Sequence, residues 1–178
     1  MSGQNLQGMR SFRLLIAIVS VSLLSGCTSS PIPEGYKGPT ARIEDSFKKR
    51  GWSSADFFYV SKIDGRRIND SLAATTQSNY GQGFQLTPIA IGRAVAAQES
   101  TFTIVGRTHY AAPILELAGT VYQVSGDVKF SPQPDQIYYV RGELDEKYSG
   151  VWIEDAAGTP VTPKIEVNGS SALSIFEK

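Results

Sequence analysis

The sequence predicts an all-β domain, a single β-sandwich of about seven or eight short strands. Three observations predict it. Short segments rich in β-branched and aromatic residues alternate apolar with polar side chains, the period of a half-buried strand. Gly, Asn, Asp and Pro punctuate the chain between these segments. Helical periodicity is thin: only residues 45–50, 71–80 and 171–178 have room for a turn or two of helix.

From Thr40 onward the pattern is β. The first clear strand is Phe57-Phe58-Tyr59-Val60-Ser61-Lys62-Ile63. Asp64-Gly65 follows, then Arg66-Arg67-Ile68. Asp-Gly between two such runs signals a hairpin, because its tight turn needs positive φ. Residues 69–83 are polar and end in Gly, so they read as a long connection. Gly81-Gln82-Gly83 within it is a turn; it is too short for a phosphate loop and no Lys-Ser/Thr follows. Thr101-Phe102-Thr103-Ile104-Val105 alternates, with Phe102 and Ile104 on one face. Residues 120–130 hold Val121, Val124, Val128 and Phe130, interrupted at Gly126, with Asp127 and Lys129 opposite Val128 and Phe130. Residues 136–144 place Tyr138, Val140 and Leu144 on one side and Tyr139, Arg141 and Glu143 on the other. Val151 and Ile153 oppose Trp152 and Glu154. Ala157-Gly158 turns into residues 160–167, where Pro163 implies an edge strand or two short pieces. Asn69-Asp70-Ser71 and Asn168-Gly169-Ser170 match the glycosylation sequon, and the second is better read as a turn.

The N-terminal residues carry an address. Arg10 and Arg13 precede the apolar run from Leu14 to Leu24, and small residues close it. That is the build of a secretory signal peptide, and the run is about half the length that spans a bilayer. It ends in Leu24-Ser25-Gly26-Cys27, which resembles the lipobox of bacterial lipoproteins. The resemblance implies cleavage before Cys27, a thioether-linked diacylglyceryl on its sulfur and acylation of the new amino terminus. Those covalent lipids anchor the protein to a membrane, and no other cofactor is expected. Thr28 and Ser29, where an Asp would retain a lipoprotein at the inner membrane, imply the periplasmic face of the outer membrane. Residues 1–26 are thus expected to be a signal peptide, 27–39 a lipidated Pro/Gly-rich tether and 40–178 the β-sandwich. Polar residues 1–8 add nothing to a basic start, so Met9 is the expected initiator. Fully extended, the tether would reach about 40 Å and hold the domain clear of the headgroups. The alternative is an arm packed on the domain, anchored by Tyr36.

Within the domain, Ser61-Lys62-Ile63-Asp64-Gly65-Arg66-Arg67-Ile68 resembles the strand, Asp-Gly, strand opening of PEGA-like and transthyretin-like lipoprotein domains. Residues 97–104, 126–130 and 138–140 resemble later strands of such envelope sandwiches. The resemblance implies an Ig-like or transthyretin-like sandwich and no particular activity.

Composition narrows the chemistry. The chain has 17 basic and 17 acidic residues; losing Arg10 and Arg13 leaves the mature part at about −2, without the basic excess nucleic acid demands. Cys27 is the sole cysteine and His109 the sole histidine, which argues against a zinc site, a cysteine nucleophile and a His-based triad; no metal is expected. His109 reads as a surface or strand-end residue. Glu143, Asp145, Glu146, Glu154 and Asp155 cluster near two adjacent strands. They are either a solvated rim balanced by Arg141 and Lys147 or the carboxylate pair of a carbohydrate-active hydrolase. If Val140 and Ile153 face the core, Tyr139, Arg141 and Trp152 face outward together as a binding surface for an envelope protein or glycan. The alternative is a second small core there, covered by the terminal segment or the long connection. The expected function is a non-catalytic binding or structural module of the cell envelope, with the periplasmic hydrolase as its competitor.

Overall fold

The computed structural model describes residues 29–178. The signal peptide, the Met9 start and the lipidation residue Cys27 lie outside the described residues. Ten strands form two open sheets of five, packed face to face. The strands are β1 (Thr40–Glu44), β2 (Ser46–Lys49), β3 (Ser54–Ile63), β4 (Arg66–Arg67), β5 (Gly92–Ala96), β6 (Ser100–Tyr110), β7 (Gln123–Phe130), β8 (Ile137–Leu144), β9 (Tyr148–Asp155) and β10 (Ile165–Asn168). Two helices, α1 (Ser71–Asn79) and α2 (Pro113–Ala118), interrupt them. One sheet runs β10-β9-β8-β1-β5 and the other β2-β3-β6-β7, with β4 paired to β3. Among the described residues only β1 and β8 pair in parallel; the other pairs are antiparallel.

The core follows the alternation read from the sequence. Ile43, Val60, Phe102, Ile104, Val140, Val151 and Ile153 are buried between the sheets. Asp64 and Gly65 both have positive φ, 50° and 75°, so the β3–β4 hairpin has the two-residue turn its Asp-Gly predicts. The residues 160–167 split as Pro163 requires, into a bridge at Pro160 and the edge strand β10.

Four expectations change. There are ten strands rather than seven or eight, because short, mostly polar β2 and Ala-rich β5 give little alternation to read. Residues 45–50, which had room for a turn or two of helix, contain β2 instead. The chain crosses from one sheet to the other at Asp45, and β2 then pairs along β3. Gly126 does not interrupt its strand: β7 runs through it, and the missing side chain makes room for Ile165 of β10, which a Cβ there would meet at 2.9 Å. Residues 29–39 are not a free spacer. The Ser29 amide donates to the Arg67 carbonyl at 2.7 Å, and Arg66 Nη1 donates to the Ser30 carbonyl at 3.1 Å. The arm therefore lies on the β3–β4 hairpin. Tyr36 donates to its own Pro39 carbonyl rather than anchoring the arm to a strand.

β3 is buried along most of its length on both faces. Phe58 and Val60 enter the core between the sheets, while Ala55, Phe57 and Tyr59 form a second core with Val105 and Leu86. A β-bulge at Ser61 then shifts the parity. Strict alternation would put Ile63 with Phe57; the extra residue turns it inward beside Phe102.

The second core is roofed by α1 and residues 84–91. Asp70 caps α1 by accepting the Ala73 amide at 2.8 Å. The buried stripe of this helix is polar: Ser71, Thr75 and Asn79, four residues apart. Ser71 Oγ accepts the Ile91 amide at 2.8 Å, Thr75 Oγ1 the Ile89 amide at 2.9 Å and Asn79 Oδ1 the Thr87 amide at 2.8 Å. Four helical residues rise about 6 Å, and two extended residues about 6.6 Å. The periods match closely enough for three hydrogen bonds in a row, so the helix side chains serve residues 87–91 as a neighbouring strand would.

Candidate functional site

Alternation sends Tyr139 and Arg141 of β8, and Trp152 and Glu154 of β9, to the outer face of their sheet, because Val140 and Ile153 between them are fully buried. Cross-strand pairing then sets Tyr139 opposite Glu154 and Arg141 opposite Trp152. The Arg141 guanidinium lies 5.0 Å from the centre of the Tyr139 ring, a cation–π contact. Its Nε donates to Glu154 Oε1 at 3.2 Å, and Trp152 Nε1 donates to Glu154 Oε2 at 3.1 Å. Lys164 Nζ sits 4.2 Å over the Trp152 ring. Half-exposed Ile137 extends the same face of β8.

The structure thus brings together the three residues proposed from sequence, and adds Glu154 and Lys164 as the groups that hold them. The elements expected to cover this face lie elsewhere. α1 packs on β3 in the other sheet. The C-terminal residues meet Tyr122 through Ala172, and Lys178 donates to the Leu117 and Gly119 carbonyls around α2.

The carboxylate cluster separates into local roles. Asp145 accepts the Lys147 and Tyr148 amides at 2.7 and 2.8 Å, which hold its carboxyl below the ordinary range. Asp155 accepts the Ala157 and Thr159 amides, both at 2.9 Å, in the turn after β9. Glu154 has both oxygens engaged in the aromatic array.

Two polar constellations escape sequence reading. At the sheet crossover Asp45 is buried, and its carboxylate accepts Arg93 Nη2, the Val60 amide, and both the amide and hydroxyl of Ser71. Burial pushes this carboxyl above its ordinary pKa, while Arg93 and the other donors pull it down. Desolvation of the two charges offsets much of their mutual attraction, so such a pair adds little net stability.

The second constellation surrounds His109. It sits near the end of β6, as a strand-end histidine should, but with only 15% of its side chain exposed. Its Nδ1 lies 3.4 Å from Glu116 Oε2, and Arg107 Nη2 donates to Glu116 Oε1 at 2.8 Å. Hydrogen bonds from His109 and Arg107 hold the Glu116 carboxyl below its ordinary pKa against the opposing effect of burial. His109 Nε2 lies 3.4 Å from Thr76 Oγ1. Hydroxyl, imidazole and carboxylate therefore fall in line, but Thr76 directs its proton to the Leu72 carbonyl at 2.9 Å, away from the imidazole. That is not the arrangement of an activated nucleophile. No single segment signals this site, because α1, β6 and α2 each supply one member.

Among the described residues no group of three or more His, Cys, Asp or Glu is arranged to hold a metal. Comparison of the chain with protein-family models, with curated proteins and with solved structures finds no match.

Proposed function

We propose that the chain is a lipid-anchored, non-catalytic envelope protein that binds a protein or glycan partner on the periplasmic face of the outer membrane. The observation that carries the binding role is the ordered array of Tyr139, Arg141, Trp152 and Glu154 on an outer sheet face. Side chains already fixed by ion pairing and ring contacts lose little further freedom on binding. Aromatic and Arg side chains are also the types that dominate interface energetics.

The anchor reading rests on Leu24-Ser25-Gly26-Cys27. Ser29 is hydrogen-bonded to the β4 backbone, so a lipid on Cys27 starts within about 7 Å of a docked residue. The β3–β4 hairpin end then lies at the membrane. The Ig-like or transthyretin-like assignment belongs to the same proposal, supported by two open, mainly antiparallel sheets packed over a shared core. The paired-carboxylate hydrolase has less support, since both Glu154 oxygens are already engaged by Arg141 and Trp152 within the aromatic array.

In-cell crosslinking of the natively processed, C-terminally tagged protein tests this reading. A reproducible partner that disappears on Trp152→Ala and on Cys27→Ser is the expected result. Recovery of the protein alone, with its lipid and membrane location intact, overturns the binding role. Trp152→Ala that lowers stability but leaves crosslinking unchanged removes the aromatic array from it.

A further inference from the structure

We propose that a cleft on the opposite side of the sandwich, built over His109, is a binding site for a neutral sugar ring. The cleft has a volume of about 490 Å³, within the roughly 300–1,000 Å³ of small-molecule sites. It lies between α1, the loop at residues 80–84, the end of β6 and the start of α2. Tyr80, Phe84, Tyr110 and Pro113 supply apolar walls; Thr76, His109 and Glu116 supply a polar floor. Tyr80 is 89% exposed and Phe84 52%, although large aromatic side chains ordinarily bury most of their surface. Glycines 81 and 83, both at positive φ, shape the loop that presents these rings.

The floor selects the charge of the ligand. Glu116 has one oxygen on Arg107 and the other facing His109. Arg107 also donates to Gln123. The carboxylate and guanidinium are matched to each other, so neither a cation nor an anion finds an uncompensated partner in them.

The floor also selects hydrogen-bonding character. A carboxylate only accepts, so the imidazole proton in the neutral ring belongs on Nδ1, facing Glu116. The Thr76 proton is committed to Leu72. In the neutral ring Nε2 is then an acceptor, and Thr76 Oγ1, 3.4 Å away, directs its proton to Leu72 instead. An incoming hydroxyl satisfies it. A ligand that is uncharged, donates hydroxyls and has an apolar face to lay on Tyr80 or Phe84 is a sugar ring. This site is independent of the Tyr139 array, which lies on the other sheet, and does not rest on the function proposed for it.

Saturation-transfer NMR on the full chain in detergent micelles tests the proposal, with N-acetylglucosamine and methyl β-glucoside as probes and cyclohexanol as the apolar control. The expected result is transfer to at least one sugar. Its affinity should fall about three- to tenfold in His109→Phe, the effect of one lost hydrogen bond. Tyr80→Ser should also weaken it; this ring is so exposed that its removal leaves the fold intact, and it keeps the test valid if His109→Phe does not fold. Transfer to neither sugar, equal transfer to cyclohexanol, or binding unaffected by Tyr80→Ser overturns the proposal.

Discussion

Thr75→Val is the sharpest test of how this domain holds its second core. Thr75 is fully buried, and its hydroxyl accepts the Ile89 amide at 2.9 Å. Valine keeps the shape and the branching at Cβ, so no cavity forms and helix propensity barely changes. What disappears is the acceptor, which leaves the part-buried Ile89 amide without its helix partner. The bond is part-buried and Ile89 itself is 36% exposed, so losing it costs about 0.5–1.5 kcal/mol. With a urea m-value of about 2 kcal/mol/M, the unfolding midpoint should fall by roughly 0.25–0.75 M. Equilibrium unfolding followed by fluorescence of the two Trp residues reads the shift. Native-state hydrogen exchange should show the Ile89 amide losing protection first. Thr76→Val is the control: Thr76 is exposed one position along the same helix, and its substitution should stay within about 0.5 kcal/mol. Equal midpoints for Thr75→Val and the unmutated chain would refute the reasoning, because water or another carbonyl would then be serving residues 87–91.

Two further outcomes follow from the packing and the charges. Gly142→Ala should lower Tm by roughly 5–10 °C in a thermal scan, because its Cβ would land on the Gly150 carbonyl oxygen and the Phe58 ring. Glu116→Gln should be destabilising at neutral pH, with a gap from the unmutated chain that narrows on acidification. The Glu116 carboxyl is held below its ordinary pKa by His109 and Arg107, so its contribution is fully present above the unfolded-state value and is lost as pH falls through the folded-state value. Urea midpoints measured across pH 3–7 check this; a gap that stays constant over that range would contradict it.

The outward set Tyr139, Arg141 and Trp152 was legible because β8 and β9 alternate cleanly. Once Val140 and Ile153 are assigned inward, a period of two assigns their neighbours outward, and only the register remains to be found. The β3–β4 turn was legible for an equally local reason, since Asp64-Gly65 suits the positive φ that the turn imposes. The carboxylate cluster left two readings open for the converse reason. Closeness in sequence is not shared function, and Asp145 and Asp155 are spent on the amides of their own turns.

The amino-acid sequence by itself determined the sheet class, the inward faces of the later strands, the hairpin turn and the outward aromatic set. Each depends on a residue and neighbours a few positions away. Only the tertiary structure decided that residues 29–30 dock on β4, that Ser61 bulges to turn Ile63 inward, and that Ser71, Thr75 and Asn79 serve residues 87–91. It alone decided that Thr76, His109 and Glu116 meet. Hydrophobic burial repeats with the period of the backbone and so shows in the chain. A buried polar group takes its meaning from the partner it finds, and here those partners lie on other elements.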